Sequence, residues 1–299
     1  MKTKKSKIIT SILLAAAVVT SVFAGCSVAK DDSNEKTNAP SGAITGQITV
    51  ISREEGSGTR DAFVELLGIV DENDNDATIE TAEITNSTSV MMSTVNGNRQ
   101  AIGYASLGSL SDEVKALSLN SVAPSTQTVK DGSYTLQRPF NIAYIDGSLS
   151  ETAKDFIAFI MSKEAQSIVE GEGYISIDTE ASYTSSNQNE TVTLAGSTSV
   201  APLMNVLADE YKKLNPDAKI EIQESGSSAG IQSAIEGAVD IAMSSRDLKD
   251  DEAKKLKTEK IALDGIAVIV NKQNTIDNIT DSQIKAIYTG EITDWDEIK

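Results

Sequence analysis

Three short stretches concentrate the side chains of this sequence that can grip a small anion. They are Ser52-Arg53-Glu54-Glu55-Gly56-Ser57-Gly58-Thr59-Arg60, Gly196-Ser197-Thr198-Ser199-Val200 and Ser225-Gly226-Ser227-Ser228-Ala229-Gly230. Each follows a β-rich run ("ITVIS", "VTLAG", "IEIQE") and precedes a run with helical periodicity. Gly, Ser and Thr at the start of a helix leave backbone N–H groups free, bring hydroxyls close, and face the positive end of the helix dipole. An oxyanion is held there by local geometry, without a large positive charge. Helix capping by Ser or Thr accounts for any one such junction taken alone. Three of them in one chain, the first with Arg53 beside the turn, point to a shared anion. Arg53 offers a bidentate, charge-assisted contact, and Glu54 and Glu55 stand where they can orient it. Arg60, in the first helical turn, reads as a surface residue. The echo of "STSV" at 87–90 reads as one more helix cap, because no adjacent glycine opens the backbone there.

Other chemistries are poorly supplied. The chain has no histidine and one cysteine, which excludes His-containing triads, thiolate nucleophiles within the fold and His/Cys zinc sites. "GSGTR" lacks the Gly-Lys-Ser/Thr ending of a nucleotide-cradling loop. Asp71, Asn73 and Asn75 have the alternate spacing of a calcium loop, but Asp76 stands at its glycine position and Ala82 at its glutamate position. That segment reads as a solvated loop, and neither metal nor cofactor is expected. Lys plus Arg number 26 against 44 Asp plus Glu, a net charge of -18. Such a balance argues against nucleic acid and anionic membrane surfaces as partners.

The positioning elements follow from the rhythm of the chain. Residues 1–25 have a lysine-rich start, the apolar run "IITSILLAAAVV" and small residues before Cys26, the pattern of a lipoprotein signal peptide with Cys26 as the lipid (palmitate) attachment point. Residues 26–45 are polar and read as a flexible tether. From Gln47 onward short β-rich runs alternate with helical ones, the mark of an α/β sheet with crossover helices. Strands are expected at "QITVIS", "AIGYASL", "FNIAYI", "TVTLAG", "KIEIQE", "DIAMSS" and "GIAVIVN", and helices at 60–67, 150–173, 200–214, 229–236 and 281–290. The polar stretch 179–190 lacks apolar periodicity and divides the chain into blocks 46–178 and 190–299.

At these junctions the sequence closely resembles the phosphate-binding proteins of ABC-type phosphate importers. The resemblance is carried by "LAGSTSVAPLMNVLADEYKKLNP", "SGSSAGIQSAIEGAVDIAMSSRDL", "LDGIAVIVNKQN", "YTGEITDW", "VISREEGSGTRDAFVELLG", "AIGYASLGSL" and "RPFNIAYI", and it covers nearly all of 46–299. It implies a two-lobed venus-flytrap fold of the type II periplasmic-binding-protein class, each lobe a mixed sheet flanked by helices. It further implies inorganic phosphate bound between the lobes by Arg53, Ser57, Gly58, Thr59, Thr198, Ser199 and Ser227. Some family members carry an aspartate after the strand that reads "IAMSS" here, where it accepts a proton from phosphate. Ser245 takes that place, which leaves Glu55 or a backbone carbonyl as acceptor and weakens the chemical case for phosphate over sulfate.

The order of segments departs from the family, which begins at "AGSTS" and reaches "SREEGSGTR" later. A circular permutation is implied, with one continuous lobe at 138–266 and the other built from 46–137 plus 267–299. Hinges fall near 137–140 and 263–265. A truncated duplication would read identically to Lys299. The resemblance implies a monomeric, extracytoplasmic receptor on the outer face of the cell membrane. Its partners would be phosphate, the ABC permease and its ATPase subunits, with no nucleic acid and no catalysis. Receptors for sulfate or molybdate, a phosphate-ester hydrolase using Ser57, and a non-binding surface lipoprotein remain as alternatives.

Overall fold

β1 (Thr49–Arg53) grows from a run whose β-branched residues suit a pleated, buried strand. α1 (Gly58–Leu67) follows and stops at Gly68, whose left-handed φ of 61° suits glycine. β2 (Glu83–Thr85), α2 (Thr88–Gly97) and β3 (Ala101–Ser106) complete a first β-α-β-α-β unit. The structure, a computed structural model, describes residues 43–298. Next come β4 (Val114–Ala116), β5 (Ser118–Leu119), α3 (Thr126–Lys130), β6 (Gln137–Tyr144), α4 (Glu151–Ile160) and α5 (Lys163–Gly171). A second β-α-β-α-β unit runs through β7 (Thr191–Gly196), α6 (Ala201–Leu214), β8 (Lys219–Glu224), α7 (Ser227–Ile235) and β9 (Ile241–Ser244). α8 (Asp250–Ala253), β10 (Lys257–Asn271), β11 (Asn278–Ile279) and α9 (Asp281–Tyr288) follow, and a 3-10 turn at Trp295–Glu297 closes the described chain.

One sheet runs in the order β2-β1-β3-β10-β6-β9-β7-β8, with β4 also on β10. Its ends are parallel and its middle antiparallel: β1 pairs in parallel with β2 and β3, and β7 with β8 and β9. Between them lie the antiparallel pairs β3/β10, β10/β6 and β6/β9. The two units are thus related end for end, β1 matching β7 and β2 matching β8. β10 ties them together, since Lys257–Gly265 pair with β6 and Ile266–Val270 with β3.

Two large apolar clusters fill the two halves. The first includes Ile51, Phe63, Met91, Tyr104, Leu136, Ile266, Tyr288 and Trp295. The second includes Phe140, Phe156, Leu194, Leu207, Tyr211 and Ala262, with a smaller cluster of Ala143, Ile231, Ala234, Ala242 and Leu256 beside it. The chain passes from one large cluster to the other between Leu136 and Phe140 and again between Ala262 and Ile266. Gly46, at one end of the described chain, meets the other end: Trp295 N donates to Gly46 O (3.0 Å) and Ile48 N to Thr293 O (2.8 Å).

Several expectations change. Ile44, assigned to the tether, is buried in the first cluster and its N–H donates to Thr275 Oγ1 at 2.7 Å. Residues 1–25, Cys26 and the tether as far as 42 lie outside the described residues. The single helix expected over 150–173 is two, because Ser162 caps a fresh start by accepting from Ala165 N. Stretch 179–190 carries no regular element but is pinned: Tyr183 stacks edge-on against Phe159, and Asn215 Nδ2 donates to the Tyr183 hydroxyl at 2.7 Å. The 71–76 loop is exposed, as expected, and within it Asp71 accepts from Asn75 N and Asn73 N, bonds that hold its carboxyl below the usual range. No helix among the described residues is long and apolar enough to cross a membrane.

Candidate anion-binding site

Parallel strands that feed helices leave those helix N-termini at the carboxyl edge of the sheet, where α/β folds bind ligands. Here α1, α2, α6 and α7 start from β1, β2, β7 and β8, and the residues at their starts meet. Thr59 Oγ1 lies 2.9 Å from Ser199 Oγ. Thr88 Oγ1 lies 2.9 Å from Ser199 Oγ and 3.2 Å from Thr198 Oγ1, and Thr88 N donates to Thr198 Oγ1 at 3.2 Å. Ser197 Oγ donates to Ser245 Oγ (2.9 Å), and Ser245 N donates to Ser227 Oγ (3.2 Å). Gly58 packs so close to this group that an added Cβ would overlap Ser227 Oγ and stand 2.8 Å from Ser245 Oγ. All these side chains are buried.

Arg53 ends β1 and is only 2% exposed. Its backbone is fixed twice: its N–H donates to the Tyr104 hydroxyl at 3.1 Å, and its carbonyl accepts from Arg60 Nη1 at 2.8 Å. Burial pushes the Tyr104 hydroxyl up to about 12, so it stays neutral. The guanidinium forks onto Glu54, with Nε and Nη2 each 2.8 Å from a carboxylate oxygen, while Nη2 also donates to Thr198 Oγ1 at 3.1 Å. Glu54 therefore orients Arg53 and neutralises it. An anion arriving here meets oriented hydroxyls, amides and helix dipoles around a balanced ion pair.

Capping explains part of this chemistry and leaves the rest over. Ser57 caps α1 by accepting from Arg60 N, and Ser87 caps α2 by accepting from Val90 N. α6 and α7 have no side-chain cap at their N-cap positions, Val200 and Gly226. Gly226 has φ 86°, a conformation that aims the start of α7 at the cluster and that a side chain would strain. Ser227 is thereby free to face Ser245 and Gly58.

The structure thus brings together Arg53, Gly58, Thr59, Thr198, Ser199, Ser227 and Ser245, with Ser57 one residue away as a cap. Of the two flanking carboxylates, Glu54 is the one that meets Arg53, while Glu55 is exposed. Arg60 is not a plain surface residue, since it braces Arg53 O and pairs with Asp76. Thr88 was missed. Its signal was that the "STSV" of 197–200, which opens α6 after β7, recurs where β2 feeds α2, the junction that β8-α7 matches in the second unit. The missing glycine was a poor reason to set it aside.

A buried pair stands behind Ser245. Asp264 accepts from Arg138 Nη2 (3.1 Å), Ser106 Oγ (3.0 Å) and Gly108 N (3.3 Å), and Arg138 Nη1 donates to Ser245 O at 3.4 Å. Burial raises the Asp264 carboxyl and lowers Arg138, and their pairing opposes both shifts. The guanidinium stays charged. A cavity of about 330 Å³ opens beside the cluster, lined by Thr88, Met92, Leu110, Thr198 and Pro202 among others. Among the described residues no group of three or more His, Cys, Asp or Glu side chains is placed to hold a metal ion.

A family model described as the PBP superfamily domain matches residues 13–164 and 181–298. Phosphate-binding protein PstS 2 of Streptococcus agalactiae serotype V is 42% identical over 300 residues, 99% of each chain. The chain belongs to the phosphate-binding proteins of the PBP superfamily. Phosphate-binding protein PstS 2 of Streptococcus pneumoniae serotype 4 is 47% identical over 261 residues, 86% of this chain and 89% of that one. Among solved structures, a phosphate ABC transporter phosphate-binding protein from S. pneumoniae TIGR4 superposes with a TM-score of 0.68 at 47% identity, over 85% of this chain and all of that one. The fold of this PBP-superfamily member is therefore the type II periplasmic-binding-protein fold. Its order of segments is shared from end to end with the S. agalactiae protein, so it is no peculiarity of this chain.

Proposed function

We propose that this chain is an extracytoplasmic receptor that closes on inorganic phosphate and hands it to an ABC-type importer, without chemistry of its own. The observation that carries the reading is the convergence of four helix N-termini and buried Arg53 on one hydroxyl-lined point, in a chain related to phosphate-binding proteins at 42–47% identity. Arg53, Ser57, Gly58, Thr59, Thr198, Ser199, Ser227 and Ser245 are the proposed ligands, and Thr88 joins them. The two halves act as lobes, 46–137 with 267–299 against 138–266, hinged where the β6/β10 ribbon passes between the apolar clusters. Cys26 is the proposed lipid anchor, and the receptor works as a monomer with a permease and its ATPase subunits. Strand pairing of β10 with both β3 and β6, and the meeting of Gly46 with Trp295, support a permuted single protein over a broken duplication. Ser57 Oγ accepts from Arg60 N as a cap, which gives the hydrolase reading no activated nucleophile.

Hydroxyls both donate and accept, so a protonated phosphate finds an acceptor here that fully ionised sulfate cannot use. Calorimetric titration with phosphate and with sulfate between pH 5 and 8 tests the reading. Phosphate should bind at least about tenfold tighter, about 1.4 kcal/mol. Equal affinities would turn the protein into a general receptor for tetrahedral oxyanions, and no binding of either would end the receptor reading.

A further inference from the structure

Directly behind the site, a second set of contacts joins the two halves without touching the place where the anion would sit. Arg246, 6% exposed, follows Ser245 in the second half. Its Nη1 and Nη2 donate to the Glu252 carboxylate at 2.8 and 2.9 Å, Nη2 also donates to Ser228 Oγ at 3.1 Å, and Nη1 donates to Asp247 O at 2.8 Å. Those bonds hold the guanidinium from within its own half. Its Nε then lies 2.9 Å from Asp61 Oδ2 on α1, in the other half. That contact is an ion pair and not an aligned hydrogen bond, since neither atom has a hydrogen-bond partner. Beside it, Ser228 N donates to Gly56 O at 3.1 Å, a backbone bond between the same two halves.

We propose that Asp61 and Arg246 form a latch that sets the lifetime of the closed, phosphate-loaded receptor, a role that rests on the receptor reading above. Each latch residue is a near neighbour of a proposed ligand: Arg246 follows Ser245, Ser228 follows Ser227, and Asp61 lies two residues past Thr59. Closure over the anion and engagement of the latch are therefore one movement. The ligand supplies the cross-half bonds at the cluster, and the latch adds a pair whose worth appears only when the halves meet. Because Glu252 and Ser228 already fix Arg246, the guanidinium loses little further freedom on pairing, and Asp61 gains a preorganised partner. A cavity of about 360 Å³ reaches this pair and is lined by Asp61, Glu65, Arg138, Arg246 and Lys249 among others, so water can enter as the latch parts.

Asp61→Asn in the full chain is the test, with Glu65→Gln, one turn along α1 on the same cavity, as control. Stopped-flow release of phosphate should be about tenfold faster in Asp61→Asn, with affinity weakened to match, on-rate unchanged and melting temperature without phosphate unchanged. Glu65→Gln should match the parent protein. A purely structural Asp61 would lower the melting temperature without phosphate and leave the release rate alone, which overturns the latch. Release within twofold of the parent overturns the latch while leaving the receptor reading intact. Absence of phosphate binding by the parent chain removes both.

Discussion

At Gly58 a single hydrogen atom decides between stability and function. The residue opens α1 and its φ lies outside the left-handed region, so alanine fits the backbone and ordinarily stabilises a helix by roughly 0.5–1 kcal/mol. Its Cβ, however, would overlap Ser227 Oγ and press on Ser245 Oγ, both buried and both from the other half. Close-packed interiors do not absorb such a clash, so the halves must part instead. Gly58→Ala is expected to hold or raise the melting temperature without phosphate and to weaken phosphate binding at least about a hundredfold, roughly 2.8 kcal/mol. Thermal unfolding and calorimetry on the same sample check both, and unchanged affinity would remove Gly58 from the site. The sequence made Arg53, Ser57, Gly58 and Thr59 candidates because three Gly/Ser/Thr junctions recur in one chain, the first with an arginine beside it, whereas capping explains any one of them alone. It did not make Glu54 preferable to Glu55, since which of two neighbouring carboxylates meets a guanidinium depends on the turn that follows.

Elements were legible where one face is buried and obscure where tertiary contacts decide. All seven expected strands form at their places, but β10 runs eight residues further upstream than "GIAVIVN", through Lys257, Thr258, Glu259 and Lys260. Those polar residues carry no strand signal and are ordered by pairing with β6. The split between α4 and α5 was written in Ser162, a cap that the continuous apolar pattern masked. α8 shows how charge holds a short element. Glu252 Oε2 accepts from Lys249 N at 2.8 Å and the carboxylate meets Arg246. Burial alone would raise its pKa, yet the bonds from Arg246 and Lys249 outweigh burial and bring it below the usual range. A folded-state pKa below the unfolded value, about 4.3, contributes stability that is full above that value and lost as pH falls through the folded one. Denaturant unfolding at pH 7 and at pH 3.5 should therefore show Glu252→Gln destabilised at pH 7 and much closer to the parent at pH 3.5. An equal deficit at both values would show that Glu252 acts by shape and not by charge.

At the scale of the whole molecule, Gly46 and Trp295, near the two ends of the described residues, meet. Trp295, the single tryptophan, is 1% exposed and donates from Nε1 to Gln100 O at 3.1 Å beside the Gly46 contact, so its emission reports on that seam and not on the anion cluster. β1 and β7 hold equivalent places in the sheet whichever comes first, so the permutation proposed above accounts for the early position of "SREEGSGTR". A chain rejoined at the seam by a short Gly/Ser linker and opened in 179–190 should then fold to the same structure, because termini near each other at a surface tolerate such rearrangement. The opening belongs between Asn187 and Gln188, beyond Tyr183, whose ring and hydroxyl fasten the first part of that stretch. The cost is that of closing one loop and opening another, which varies slowly with length. Stability is expected within about 2 kcal/mol of the parent, or roughly 4–8 °C in melting temperature. Phosphate affinity should stay within about threefold, under 1 kcal/mol. A rearranged chain that folds but no longer binds phosphate would mean that segment order itself shapes the cleft. One that does not fold would mean that the seam between Gly46 and Trp295 cannot stand in for a peptide connection.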